Sequence, residues 1–326
     1  MHILLAHQSR VPVFAYGGVE RVIWDLARGL VERGHRVTFL VAAGSTCDFA
    51  EVIHIRPGLS WNAQVPADVD LAHFHFNPEE DLDVPYLVTE HGNTPGSPPF
   101  PLNTVFLSRD HAARHGSDQY VYNGVDWSRY AAVDWSMPRT HCHFLGKGEW
   151  RLKNLRGACR VAELAGVPIE VLGGRRLNFR RGFRFTMYPG AHFHGMVGGQ
   201  KKFDLLNGSN GLIFPVRWNE PFGMAVIESL YFGAPVFATP YGSLPELVPE
   251  ACGVLSANAE ELSEAIRSRT FDPKACHAHA VRVFGADPMV EGYLEKYAQV
   301  MAGRTLNRAP PFLIDTDRRL PWRNGR

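Results

Sequence analysis

The sequence predicts an α/β protein of two doubly wound domains, and three observations carry that prediction. The chain has 326 residues, more than one hydrophobic core usually organises. Its first half alternates short apolar runs with helical patterns, the sequence form of a parallel sheet covered by helices. A second series of the same kind begins after Met137-Pro138.

In chain order, Ile3 to Ala6 reads as a buried strand, Val19 to Arg33 as a helix and Val37 to Ala42 as the next strand, with Gly34 placed where a helix C-cap glycine belongs. Further strands are expected at Val52 to Ile55, Leu71 to Phe76, Tyr86 to Thr89, Thr104 to Leu107 and Tyr120 to Tyr122, while Pro95 to Pro101 reads as an irregular connection. In the second series, strands at His143 to Leu145, Ile169 to Leu172, Gly211 to Phe214 and Pro235 to Ala238 alternate with helices at Asn154 to Ala165, Lys201 to Asn207, Met224 to Phe232 and Ala259 to Ile266. This places one domain over 1–135 and a second over 136–287. An amphipathic helix follows at 288–303, then an Arg- and Pro-rich tail, 304–326, read as peripheral.

Composition narrows the function. Lys plus Arg (34) nearly cancels Asp plus Glu (33), so there is no basic footprint for nucleic acid. No apolar run approaches the roughly 20 residues of a spanning helix. The five cysteines, Cys47, Cys142, Cys159, Cys252 and Cys276, are scattered, which reads as reduced thiols. The expectation is a cytoplasmic protein, with peripheral contact at the inner face of a membrane compatible with the amphipathic helix. No G-x-G-x-x-G follows the first strand, which argues against a nicotinamide oxidoreductase.

The most informative stretch is PVRWNEPFGMAVIESLYFGAPVFATPYGSLPE, Pro215 to Glu246. A strand ends in a polar loop and a helix opens near Phe222-Gly223-Met224. The first-turn N–H groups of a helix lack intrahelical partners and carry the positive end of its dipole, so this turn suits a phosphate. Glu220 stands before the turn and Glu228 beyond it, so the two carboxylates bracket the phosphate site and can each accept hydroxyl hydrogen bonds.

The pattern Glu220-x7-Glu228 with Pro221-Phe222-Gly223, then Gly233-x-Pro235-Val236 and Gly242-Ser243-Leu244-Pro245-Glu246, resembles the donor motif of family-four (group 1) retaining glycosyltransferases of the GT-B fold. Tyr16-Gly17-Gly18-Val19-Glu20-Arg21-Val22 resembles that family's glycine-rich diphosphate loop, Thr89-Glu90-His91-Gly92 its histidine loop beside the donor sugar, and Asn123-Gly124-Val125-Asp126 its segment near the interdomain crossing. Phe144-Leu145-Gly146-Lys147 with Lys153-Asn154 resembles the strand and loop that set two cations on the diphosphate.

The resemblance implies two Rossmann-like domains facing a cleft, the N-terminal one on the acceptor side, with the terminal helix crossing back to it. It implies that Glu228 holds the ribose, Glu220 a donor-sugar hydroxyl, and Gly17, Gly18, Phe222, Gly223 and Met224 the donor, with His91, Lys153 and Lys147 acting beside Glu220 in catalysis. Lys147 stands where the family usually has Arg, and the interval to Lys153 is one residue longer than usual, so Arg151 is an alternative to either lysine. The ranking is Lys153, then Lys147, then Arg151.

The implied reaction is transfer of a sugar with retention, by front-face attack of an acceptor hydroxyl, from a nucleotide diphosphate donor. UDP is preferred over GDP, the acceptor is a saccharide, a lipid-linked saccharide or a natural product, and no metal or other cofactor is expected. A non-catalytic nucleotide-sugar or saccharide binding protein of the same fold is the alternative. Asp81-Leu82-Asp83 has the spacing of a metal motif but reads as solvated surface, and the pairs His73/His75, His141/His143 and His192/His194 read as packed or hydrogen-bonded strand histidines.

Overall fold

A computed structural model describes residues 1–13, 17–93, 98–178, 184–314 and 319–325. Tyr16 of the glycine-rich loop, Pro95 of the proline-rich connection and tail residues 315–318 lie outside the described residues. The chain divides into two units, Met1–Trp127 with Phe284–Thr316, and Ser128–Val283 with Asp317–Arg326.

The first unit contains β1 (His2–His7), α1 (Gly18–Glu32), β2 (Arg36–Val41), β3 (Glu51–His54), β4 (Leu71–Phe74), β5 (Tyr86–Thr89), β6 (Thr104–Val105) and α2 (Arg109–Arg114). Its six strands lie in the order β3-β2-β1-β4-β5-β6 and every pair is parallel. The near-continuous apolar runs of the central strands follow from burial on both faces: Ile3, Leu4, Leu5 and Ala6 are fully buried, as are Phe39, Leu40 and Val41. Strand order reverses between β1 and β4, which opens a crevice beyond their carboxyl ends.

Two expectations shift here. The strand expected over Thr104 to Leu107 is cut to two residues, and Tyr120 to Tyr122 forms no strand, only a bridge from Tyr120 to Phe106. At a sheet edge one neighbour supplies the whole ladder, so an apolar run there has less to pair with.

The second unit contains β7 (His141–Leu145), α3 (Leu155–Ala165), β8 (Ile169–Leu172), β9 (Leu177–Asn178), β10 (Arg184–Phe185), β11 (Ala191–Gly195), α4 (Gly199–Asn207), β12 (Ser209–Phe214), α5 (Met224–Tyr231), β13 (Val236–Ala238), α6 (Leu244–Leu247), β14 (Gly253–Leu255), α7 (Ala259–Ser268) and α8 (Pro273–Phe284). Six of these strands form a sheet in the order β11-β8-β7-β12-β13-β14, and β9 and β10 form a separate ribbon. The sheet is parallel throughout, and its order reverses between β7 and β12. A core of Phe144, Val161, Ile169, Val171 and Ile213 fills the space between sheet and helices.

The last helix, α9 (Ala286–Met301), belongs to the first unit, where it packs on α1 and β5. It buries Tyr293 and Tyr297 against His73, whose Nδ1 lies 2.7 Å from the Tyr297 hydroxyl. The tail is tied down in each unit: Phe100 N–H donates to Pro311 O at 2.7 Å, Leu320 N–H to Arg217 O at 2.8 Å and Arg323 N–H to Ala257 O at 2.9 Å.

Candidate functional site

In the second unit, the loop between β12 and α5 carries Glu220, and its shape depends on Gly242. Glu220 bridges Gly242, and Ser243 N–H donates to Glu220 O at 2.9 Å. Gly242 has φ 65°, and a Cβ there would stand 2.3 Å from Glu220 N, so only glycine lets the two backbones meet. The Ser243 hydroxyl donates to Phe222 O and closes the same loop. Gly223 caps α5 with a left-handed backbone and no side chain caps the helix. Its first turn is therefore open to an anion.

Glu220 is buried, and its Oε2 accepts from Lys153 Nζ at 2.6 Å and from Trp218 Nε1 at 2.9 Å. Lys153 is held where it is by two devices. Asn154, in the left-handed region at φ 54°, caps α3 through Gly157 N–H and donates from its side chain to Pro215 O at 2.9 Å. The Lys153 ammonium also lies 5.0 Å from the Phe214 ring centre and 5.1 Å from that of Trp218, distances at which a cation is attracted to the ring face.

Glu228, on α5, is buried with Lys202 and Tyr130 on the same carboxylate oxygen, at 2.7 Å from Nζ and 2.6 Å from the hydroxyl. The structure thus joins Lys153 to Glu220 and gives Glu228 a cation of its own. Lys147 and Arg151 are exposed, and Met224 is half-buried at the first position of α5. Sequence reasoning missed Lys202, Tyr130 and Trp218, which are polar or aromatic residues drawn to the two glutamates.

In the first unit, Gly17 caps α1 and Gly18 opens it, again with no side-chain cap. Glu20, in the first turn, lies 3.8 Å from His7 Nε2. Burial tends to raise its carboxyl, yet the neighbouring His7 and its own backbone leave it below the usual range. His91 follows β5, and its Nε2 lies 2.9 Å from His75 Nδ1. Burial pushes His91 down to about 3 and holds His75 well below the ordinary imidazole value, so both rings are neutral near pH 7.

Glu90 beside it is buried, with Oε1 accepting from Gly92 N–H at 2.8 Å. Burial raises its carboxyl to about 7, against the opposing hydrogen bond from Gly92. Sequence reasoning named Glu90 only within a motif and gave it no role.

The remaining histidine pairs are structural. His192 and His194 both bond Glu170, His141 Nε2 lies 2.9 Å from Leu205 O and His143 Nδ1 lies 2.6 Å from Ser209 Oγ. Asp81 and Asp83 are exposed. Among the described residues no three His, Cys, Asp or Glu side chains are grouped to hold a metal ion, and no helix is long and apolar enough to cross a membrane.

Residues 143–270, which include Glu220, Glu228, Lys153 and Lys202, match the model of the family described as "Glycosyl transferases group 1". Over 94% of its length the chain is 20% identical to the whole of O-antigen chain mannosyltransferase C of Escherichia coli. Its fold is similar to that of AviGT4, a glycosyltransferase involved in avilamycin A biosynthesis (TM-score 0.76, 23% identity, 94% of this chain and 99% of that one). It is also similar to Anabaena Alr3699/HepE in complex with UDP-glucose (TM-score 0.68, 16% identity, 92% and 100%). The expected GT-B architecture of two parallel α/β units is therefore present.

Proposed function

We propose that this chain, a group 1 glycosyltransferase of the GT-B fold, moves a sugar from a nucleotide diphosphate donor to a saccharide acceptor, free or lipid-linked, with retention at the anomeric carbon and without a metal ion. A UDP-sugar is the preferred donor and a GDP-sugar the alternative. The carrying observation is the Lys153–Glu220 pair beside the uncapped first turn of α5. A cation and the positive end of the α5 dipole are concentrated where a diphosphate would gain negative charge, next to a carboxylate able to hold a sugar hydroxyl.

The bond from the anomeric carbon to the leaving phosphate oxygen breaks as the acceptor oxygen attacks from the same face, and the acceptor proton passes to the departing phosphate. Charge grows on that phosphate, so groups fixed beforehand act more strongly on the transition state than on bound donor. Lys153, with Lys147 in support, supplies the cationic part and the α5 turn the dipolar part. Glu228 takes the ribose hydroxyls, and Lys202 and Tyr130 hold its carboxylate in place.

A thermal-shift panel of UDP- and GDP-sugars, followed by NMR of the product linkage with and without EDTA, tests this reading, since a ligand bound only by the folded state raises its stability. Stabilisation by a nucleotide sugar with neither transfer nor donor hydrolysis would favour a binding protein. An inverted linkage would remove retention, and activity lost in EDTA and restored by a divalent cation would remove metal independence.

A further inference from the structure

The end of the chain, expected to be a peripheral tail, runs across the second unit beside the loop that carries Glu220. Leu320 and Arg217 exchange two hydrogen bonds, Leu320 N–H donating to Arg217 O at 2.8 Å and Arg217 Nε to Leu320 O at 2.9 Å. The next residue, Pro321, accepts from the Tyr241 hydroxyl through its backbone oxygen at 2.8 Å. Trp322 then packs on the core that contains Val161 and Ile213. Arg323 is fastened beside the start of α7, its N–H donating to Ala257 O and its O accepting from Ala259 N–H, each at 2.9 Å.

Arg217 and Tyr241 are the residues through which the tail reaches the Lys153–Glu220 pair. Arg217 directly precedes Trp218, whose indole N–H bonds Glu220, and its own N–H donates to Leu152 O at 2.7 Å, next to Lys153. Tyr241 directly precedes Gly242, whose backbone bridges Glu220. One short segment therefore holds the chain on both sides of the carboxylate. Loops are the least stable parts of a fold, and a reacting group has to be held within about 0.5 Å of its working position by what surrounds it.

We propose that Leu320 and Pro321 are positioning residues for the donor site: they clamp Arg217 and Tyr241, and through them set Glu220 and Lys153 against the diphosphate. This rests on the glycosyltransferase reading and adds the end of the chain to its machinery. On the tail side the clamp consists of backbone atoms, the N–H and O of Leu320 and the O of Pro321. It depends on the path of the chain there, so a run rich in Arg and Pro can supply it without any special side chain at 320. Without Leu320 the Arg217 oxygen loses its partner, and the loop is free to settle elsewhere.

The test uses the full chain with UDP-glucose and GDP-mannose as probes. Turnover is read as the nucleoside diphosphate released by donor hydrolysis, and stability as the urea midpoint. Leu320→Pro deletes the N–H that Arg217 O accepts and should lower kcat about tenfold, as a small misplacement of reacting groups does, with a smaller change in donor KM. Leu320→Ala keeps both backbone atoms and should retain the wild-type kcat. Arg323→Pro deletes one backbone hydrogen bond of the same segment on the side away from Glu220. It should lower the urea midpoint as much as Leu320→Pro does and leave kcat at the wild-type value. If Leu320→Pro does not fold, Tyr241→Phe, which removes only the hydroxyl bond to Pro321 O, should lower kcat about threefold at an unchanged midpoint.

A kcat unmoved in Leu320→Pro, or in Tyr241→Phe where that variant replaces it, would overturn the proposal. So would equal losses of kcat in Leu320→Pro and Arg323→Pro, or a loss in Leu320→Ala as large as in Leu320→Pro. The thermal shift with both nucleotide sugars is recorded on the same samples. A wild type that is shifted and turns over while the variants match it removes only this inference, whereas a wild type with neither shift nor release removes the transferase reading and the clamp with it.

Discussion

Lys202 Nζ donates to Glu228 Oε1 at 2.7 Å, with both side chains almost wholly buried. Removing one member of a buried ion pair leaves the other charge uncompensated and typically costs about 3–5 kcal/mol. Lys202→Met should therefore destabilise the chain by about 3 kcal/mol in urea unfolding. The double variant Lys202→Met/Glu228→Leu should recover most of that loss, because apolar replacement of both partners removes the stranded charge. Nucleotide-sugar binding, read by thermal shift, should be weakened in both and not recovered in the double. A single variant as stable as wild type would show that the pair is not buried as described.

Lys153 is fixed by Glu220 and by the Phe214 and Trp218 rings, whereas Lys147 and Arg151 are exposed. A preorganised buried charge acts on the transition state, while an exposed one is screened more strongly by solvent and salt. Lys153→Ala should lower kcat by about a hundredfold, the usual loss of ~3 kcal/mol for one such group, with a smaller change in donor KM. Lys147→Ala should cost less, and Arg151→Ala least. A steady-state comparison in which Arg151→Ala is the most damaging would reverse the assignment.

How much of this was legible depended on whether a residue's partner was near it in sequence. Most strands of the two sheets announced themselves by apolar runs, though the short edge strand β14 did not, and Glu220 and Glu228 by the Pro-Phe-Gly turn between them. Lys202 did not, because Gln200-Lys201-Lys202 reads as a solvated helix face and its burial depends on a glutamate on α5. β11 was legible only through the His192/His194 alternation and not as an apolar run, because Ala191-His-Phe-His-Gly195 breaks the apolar pattern, and both histidines find Glu170 across the ladder. The raised carboxyl of Glu90 was equally hidden, since its burial is set by the fold and not by its neighbours in sequence.

Burial sets the response to acid. His143 is pushed down to about 3 by burial, and His73, His75 and His111 are held well below the ordinary imidazole value of 6.5. The unfolded chain binds these protons near pH 6.5 and the folded chain does not, so their contribution is present above that pH and lost as pH falls. Each costs about 2 kcal/mol by pH 5, enough together to match the total stability of a typical domain.

Glu90 acts in the opposite sense. The folded state keeps its proton up to about 7, whereas an ordinary glutamate loses it near 4.5, so stability declines by about 3 kcal/mol as pH rises through that window. Circular dichroism against pH should show unfolding between about pH 6 and 4, and Glu90→Gln should be more stable than wild type at pH 8. A chain still folded at pH 4 would contradict the buried neutral histidines.

Two glycines separate backbone strain from steric contact. Gly34 and Gly242 both have left-handed backbones, φ 81° and 65°, but a Cβ at Gly34 meets nothing within 4 Å while one at Gly242 would stand 2.3 Å from Glu220 N and 2.4 Å from Glu220 O. Gly34→Ala should therefore cost only the conformational penalty, about 1 kcal/mol, and leave donor binding intact. Gly242→Ala adds a clash that no side-chain rotation relieves, because the atoms it meets are backbone. The loop bearing Glu220 must move away, so we expect a loss of about 3 kcal/mol or more in stability and weakened nucleotide-sugar binding in calorimetry. If the two variants lost equal stability and both bound donor normally, the Glu220–Gly242 contact would not be what shapes the site.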